Sequence, residues 1–428
     1  MKNTFVKVLV ALAILPTFAE DYLENPIVVT MTSVRQESRT QDLVVDYTLA
    51  NHPGIVRMDV LTNGVSISEH LVTLEGDWSA TEADVVQPGA RTIRWRARKD
   101  WRDNMVTNAL VRLSAYYTNQ IDKIPGVYMK VDLNDGQSAT SYPVTYTFVG
   151  PSTNASGQAS NTDDISRYLW LRFVGSTGPA TFTQGSTTIG SLIDNAQTPE
   201  TVRSVTLSEG FFAGVFPVTH IQYRKVKEKS NAWNSGNYAP VNYVKYSEIR
   251  GNTGNTGHTV GADSFLGRLR SRTGLEFDLP TEAQWEYLCR AGTDSDFNDG
   301  SNLSPTNYYI GSTLYTNTTR DVHLDNLAWY SANVTDGNPH QVGQKKPNAW
   351  GLYDCHGNVW EYCLDLYGTI STSPVTDPMG ASSGNPVYRG GAYNSTARDC
   401  RSARRYNGWG PNDNQTRQIG FRIVCPIQ

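Results

Sequence analysis

Between residues 20 and 149 the chain repeats one pattern, short β-branched runs in which apolar and polar residues alternate, with no helical period between them. The runs are Ile27 to Met31, Leu43 to Leu49, Val56 to Leu61, Thr92 to Ala97, Val111 to Tyr117 and Val144 to Phe148. Turn signals part them, among them Thr62-Asn63-Gly64 and Asn134-Asp135-Gly136. Side chains two apart share one face of a strand, so such runs must bury that face against another sheet. The spacing predicts a β-sandwich of immunoglobulin-like or fibronectin-like kind over residues 20–149. No Cys…Trp…Cys pattern accompanies it, which argues against an antibody-type domain. Nothing catalytic is visible there, and a spacer or docking module is the plain expectation.

A chain of 428 residues exceeds one typical domain. Residues 150–165 are small and polar and read as a linker. From residue 166 to 428 glycine and aromatics become dense, and few segments look helical. Thr219 to Val226 has an N-cap and helical spacing, and Tyr243 to Ile249 is a second short candidate. The clearest helix is Thr281 to Arg290, opened by Pro280 and Thr281 and ended by Gly292. Ala283, Tyr287 and either Trp285 or Leu288 are expected on its buried face.

The first nineteen residues read as a secretory signal, with Lys2 and Lys7, an apolar run from Val8 to Leu15, and Pro16-Thr17-Phe18-Ala19 before a cut after Ala19. The alternative is an apolar first strand or helix. The run is too short to span a bilayer, so an exported protein without a membrane span is expected. Net charge is -4, and no basic stripe points to nucleic acid. All five cysteines, Cys289, Cys355, Cys363, Cys400 and Cys425, lie in the last third. In an oxidising compartment disulfides are the default for such a cluster, and the odd number leaves at least one thiol over. The seven histidines are scattered, and no metal-helix pair, P-loop, dinucleotide fingerprint or Ser-His-Asp order is visible.

Several ordered motifs carry more. They are Phe216-Pro217-Val218-Thr219, Pro240-Val241-Asn242-Tyr243-Val244, Phe277 to Tyr287, Pro347 to Asp354, Gly357-Asn358-Val359-Trp360-Glu361-Tyr362, and a closing set. The closing set is Arg389-Gly390-Gly391-Ala392-Tyr393, then Asp399 to Arg404, then Gly420-Phe421-Arg422. With these residues the chain resembles the formylglycine-generating enzyme (sulfatase-modifying factor) family over roughly residues 165–428. The resemblance implies a C-type-lectin-like fold and so, with the sandwich, an α+β chain. It also implies an oxygen-dependent oxidoreductase in which two cysteines bind copper(I). Counted from the Gly390-Gly391 turn, those positions fall on Ser395 and Cys400, and Ala392 replaces the turn serine. A hydroxyl is a hard donor that stays protonated, so copper and formylglycine synthesis are not expected.

The resemblance further implies disulfides by position, Cys289 with Cys425 and Cys363 with Cys400. Cys355 is then left as a small buried residue or as a reactive thiol. It implies a structural calcium ion held by Asn358, the Val359 carbonyl and Glu361, the alternative being a turn in which Asn358 and Glu361 bond backbone amides. Tyr393, Asn394, Arg404, Tyr406 and Trp409 mix rigid aromatics with adaptable polar groups, as recognition surfaces do, although ordinary loop packing uses the same residues. The expected role is a ligand-binding module for a protein, peptide or glycan. The alternatives are an oxidoreductase acting through a variant thiol site at Cys400 or Cys355, and a structural cell-surface protein.

Overall fold

The computed structural model describes residues 7–8, 27–37, 39–62, 65–67, 71–80, 84–100, 109–116, 127–175, 178–186, 200–227, 236–251, 259–303, 321–407 and 417–427. The chain divides into two units, 1–124 with 146–149, and 125–145 with 150–428. Among the described residues no helix is long and apolar enough to cross a membrane.

The first unit is a sandwich of two four-stranded sheets. One holds Val28–Gln36, Leu43–Ala50, Gly89–Trp95 and Leu74–Gly76. The other holds Ala109–Tyr116, Ile55–Thr62, Val65–Ser66 and the two-residue strand Lys7–Val8. Alternation decides which residues turn inward. Val45, Tyr47 and Leu49 of one sheet meet Val56, Met58, Val60, Val111 and Leu113 of the other in a single core. Five of the six expected runs form strands of this unit, and the sixth forms the strand Val144–Thr147. The Asn63-Gly64 turn lies outside the described residues.

The second unit is irregular, with short sheets around one helix. Its largest sheet orders Val144–Thr147, Tyr128–Asp132, Tyr168–Val174, Phe211–Gly214 and Val424–Pro426. A four-stranded sheet orders Arg405–Tyr406, Pro386–Arg389, Trp360–Leu366 and Ile419–Gly420. Ala328–Trp329 pairs in parallel with His356–Gly357. Helices span His220–Val226, Tyr246–Arg250, Phe265–Thr273 and Glu282–Arg290. Thr219 and Thr281 cap two of them, each in a capping box with the glutamine three residues on. Helix Phe265–Thr273, capped by Ser264 and stopped by left-handed Gly274, has no counterpart among the helices expected from sequence.

Three expectations need correction. Residues 125–145, read as sandwich, belong to the second unit, because Tyr128–Asp132 pairs along Tyr168–Val174. Residues 150–165 are not a linker. Thr153 bridges Ala159, Asn161 caps the helix Thr162–Ser166, and Ala159 and Ile165 are buried in the core. Small polar residues serve turns and caps as readily as linkers, so composition alone misreads them. Helix Glu282–Arg290 ends on left-handed Ala291, one residue before Gly292, and it is buried on almost every side, including Glu282, Glu286 and Arg290.

Gly357 tests how tightly the second unit is built. Its φ is +71°, and an added Cβ would stand 2.2 Å from the Trp329 carbonyl oxygen. Backbone cannot retreat as a flexible side chain would. Gly357→Ala is therefore expected to cost roughly 3 kcal/mol or more, read as a fall in the urea midpoint of the full chain.

Candidate functional site

Helix Glu282–Arg290 organises the site because its acids are sealed from water with opposite charges beside them. Glu282 accepts from Arg405 Nε at 2.5 Å and Nη2 at 2.8 Å. Glu286 accepts from the Gly185 amide at 2.9 Å, from Arg290 and from Arg389. Burial pushes the Glu286 carboxyl up, but Arg389 and Arg290 more than offset it and hold it below its ordinary value. Arg389 also donates to the Arg404 carbonyl at 2.6 Å, and Gly390 lies against the Trp285 ring. Two more pairs complete the frame. Arg401 grips Glu200 with both terminal nitrogens, at 2.7 and 2.6 Å, and Arg422 grips Glu361 through Nε and Nη2, both at 2.9 Å. Arg389, Arg401 and Arg422 are each 0% exposed.

Asp365 sits at the start of the same helix and accepts from the Glu282 amide at 2.6 Å. Burial, and then the Glu282 charge, push its carboxyl up to about 7.

The turn from Asp354 to Glu361 carries the expected calcium donors. Asp354 and Asn358 take left-handed backbone at φ 53° and 62°. Asn358 clamps His340, its Oδ1 accepting from the His340 amide at 3.0 Å and its Nδ2 donating to the His340 carbonyl at 3.1 Å. Asp354 accepts from the Gly343 amide at 2.7 Å and from Asn358 at 3.1 Å, and burial pushes it up to about 6. Glu361 has both oxygens on Arg422, and Oε2 also accepts from Trp285 Nε1 at 2.7 Å. Asn358, Val359 and Glu361 therefore do not fit a calcium ion. The carboxylate is neutralised by a guanidinium, and the amide oxygen already has its donor. Among the described residues no group of three or more acidic, cysteine or histidine side chains is placed to hold a metal.

Ser395 and Cys400 lie on the loop after Gly390-Gly391. Ser395 closes a turn on Ala392, its amide donating to the Ala392 carbonyl and its Oγ accepting from the Ala392 amide, both at 2.9 Å. Cys400 is wholly buried under Gly391, where a Cβ would meet its sulfur at 2.6 Å. Burial pushes its thiol well above the ordinary value. One engaged hydroxyl and one sealed, protonated thiol do not fit copper(I). His356 donates through Nδ1 to the Cys400 carbonyl at 2.6 Å, its Nε2 accepts from the Asn298 amide at 3.1 Å, and burial lowers its pKa, so the neutral ring is structural.

The expected disulfides are not formed, and all five cysteines are free and buried. Cys425 lies on strand Val424–Pro426 with Arg270 and Glu276 as charged neighbours. Cys289 faces elsewhere, 3.7 Å from both the Cys355 carbonyl and Ser402 Oγ. Cys363 lies on strand Trp360–Leu366 among Glu282, Arg389 and Asp365, whereas Cys400 packs in a separate apolar cluster with Phe297 and Leu324. Chain position fixes neither the facing nor the depth of a thiol, which is why pairing by order fails.

The expected recognition residues separate. Asn394 is exposed and Tyr406 half-buried, but Tyr393 and Arg404 are buried, and Trp409 lies outside the described residues. Arg404 donates to Asp399 at 3.2 Å. Sequence reasoning missed the ring Tyr406 stacks on, Trp360 at 5.4 Å, and the neighbouring pair of Tyr243 with exposed Arg417, whose Nε donates to the tyrosine oxygen at 3.3 Å. The Val359-Trp360-Glu361 motif offered the signal, since an aromatic beside a buried acid on a strand faces away from it.

Residues 176–427 match the model of the sulfatase-modifying factor enzyme 1-like domain. The formylglycine-generating enzyme of Streptomyces coelicolor is 33% identical over 158 residues, 34% of this chain and 46% of that protein. The serine/threonine-protein kinase pkn1 of Chlamydia pneumoniae is 27% identical over 229 residues, 51% of this chain and 33% of that protein. The chain thus spans half or less of these curated relatives. Among solved structures, Treponema denticola variable protein 1 aligns with a TM-score of 0.47 and 23% identity, over 60% of this chain and 95% of that one.

Two measurements probe the frame. Glu361→Gln strands the Arg422 charge in the interior and is expected to cost about 3–5 kcal/mol in chemical unfolding, part of which returns in Glu361→Gln with Arg422→Met. Asp365 has a folded pKa raised above its unfolded value. Its contribution to stability is therefore full below about pH 4 and is lost as pH rises through about 7. Asp365→Asn is expected to flatten the fall in stability over that window by roughly 4 kcal/mol relative to the parent chain.

Proposed function

Since the chain belongs to the sulfatase-modifying factor enzyme 1-like family, we propose that it is an exported member that recognises a protein, peptide or glycan and does not generate formylglycine. One observation carries this reading. At the positions matching the family's two cysteines, the Ser395 hydroxyl is spent on the Ala392 amide and the Cys400 thiol is sealed beneath Gly391. A step that needs two accessible thiolates has no place to occur.

The surface beside that loop supports recognition. Asn394 is exposed, Tyr406 is half-exposed and stacked on Trp360, and Arg417 is held on Tyr243. These elements are pinned together by backbone bonds, Tyr393 N to Asn358 O at 2.8 Å and Trp360 N to Gln418 O at 2.7 Å. A rigid aromatic platform with polar neighbours binds at little entropic cost. Export rests on the signal-like residues 1–19, and N-terminal sequencing of the mature protein after Ala19 would bear on it.

Copper(I) titration against a chelator, with mass spectrometry of a cysteine peptide incubated with the protein and oxygen, tests the catalytic half. No tight copper binding and no formylglycine are expected, and formation of the aldehyde would overturn the reading. For recognition, Asn394→Ala and Tyr406→Ala are each expected to weaken binding to a hit from a peptide or glycan array about tenfold. Unchanged binding would remove this surface from the proposal.

A further inference from the structure

We propose that Cys289 and Cys355 form a disulfide when the chain folds in an oxidising medium, a cross-link between the end of helix Glu282–Arg290 and the turn that carries Asn358. The proposal stands independently of any ligand. Its basis is where the Cys289 sulfur points. It lies 3.7 Å from the Cys355 carbonyl oxygen, and the neighbouring Cys289 thiol, ahead of burial, pushes the Cys355 thiol well above its ordinary value. A single amide, Asn348 Nδ2, reaches both residues, donating to the Leu288 carbonyl at 2.7 Å and lying 3.3 Å from the Cys289 carbonyl and 3.9 Å from the Cys355 sulfur. That amide holds the helix end and the turn at a fixed separation. The other neighbours of Cys289 are the Ser402 hydroxyl at 3.7 Å and His356 Nε2 at 4.0 Å, neither of which can form a covalent bond to sulfur here.

The remaining cysteines lack such a partner. Cys363 and Cys400 lie in different clusters, and Cys425 sits on the sheet beside Arg270 and Glu276. Cys289 and Cys355 are 0% and 2% exposed, so exchange must occur before the interior closes. With oxidised glutathione as oxidant, the first thiolate attacks a glutathione sulfur, forming a mixed disulfide and releasing one glutathione. The second thiolate attacks the protein sulfur of that mixed disulfide, the protein S–S bond forms, and the second glutathione leaves. Both protein thiols are oxidised, one glutathione disulfide is reduced to two thiols, and the two protons lost by the protein end on them.

The full chain, unfolded and reduced, would be refolded in oxidised and reduced glutathione, alkylated, digested without reductant and examined by mass spectrometry. A linked Cys289–Cys355 peptide with Cys363, Cys400 and Cys425 alkylated is expected. So is a melting temperature several degrees above that of the reduced protein, a shift lost equally in Cys289→Ala, in Cys355→Ala and in the double variant. Five alkylated thiols, or a link between any other pair, would overturn the proposal. Where refolding fails, thiol counting on chain produced by secretion tests the same link, with three free thiols expected and five overturning it.

Discussion

The second unit depends on opposite charges that have been taken out of water together. Ion pairs of this kind are poor sources of net stability, because each charge loses its hydration. Their effect is on uniqueness. A guanidinium with 0% exposure tolerates only the arrangement that supplies its carboxylate, and Arg389, Arg401 and Arg422 are of this kind. With the buried Arg405, they admit one placement of Glu286, Glu200, Glu361 and Glu282. In a unit with little regular structure, those pairings do what long strands and helices do elsewhere. They also bear on chemistry. The donors that would face a cation or a reacting atom are already satisfied by protein.

The signature segment is built into this frame as architecture. The framework residues around Gly390-Gly391 engage the helix, through Arg389 to Glu286 and through Gly390 against Trp285. Ser395 and Cys400 contribute to the same loop by a turn and by filling space. Such a loop can lose a thiol and keep its shape.

Much of the architecture was legible in the sequence, for identifiable reasons. Period-two runs marked out the sandwich core, because Val45, Tyr47 and Val111 point where alternation says they must. Pro280 and Thr281 announced a helix that the structure caps with Thr281. Illegible were the features set by tertiary partners. The buried face was expected to hold Ala283, Tyr287 and Trp285 or Leu288, yet Glu282 and Glu286 are buried as well, because their countercharges Arg405 and Arg389 arrive from distant segments. Asn358 and Glu361 looked like oxygen donors for a cation, yet a guanidinium and the His340 backbone reached them first. The thiols could not be paired by order along the chain, since facing and depth decide pairing.

The order of those charges along the chain has its own consequence. Glu200, Glu282, Glu286 and Glu361 all precede the arginines that bind them from the closing segment, by 201, 123, 103 and 61 residues. Synthesised from the N-terminus, the chain carries four acids in search of distant bases until Arg422 emerges. Only the Glu286 charge meets a nearby base, Arg290, four residues on. Closure of the unit is thus vectorially deferred, with most of its loop-closure entropy lost in one late step. In a nascent chain of this design the four acids wait unpaired with these arginines until the segment from Arg389 to Arg422 is made.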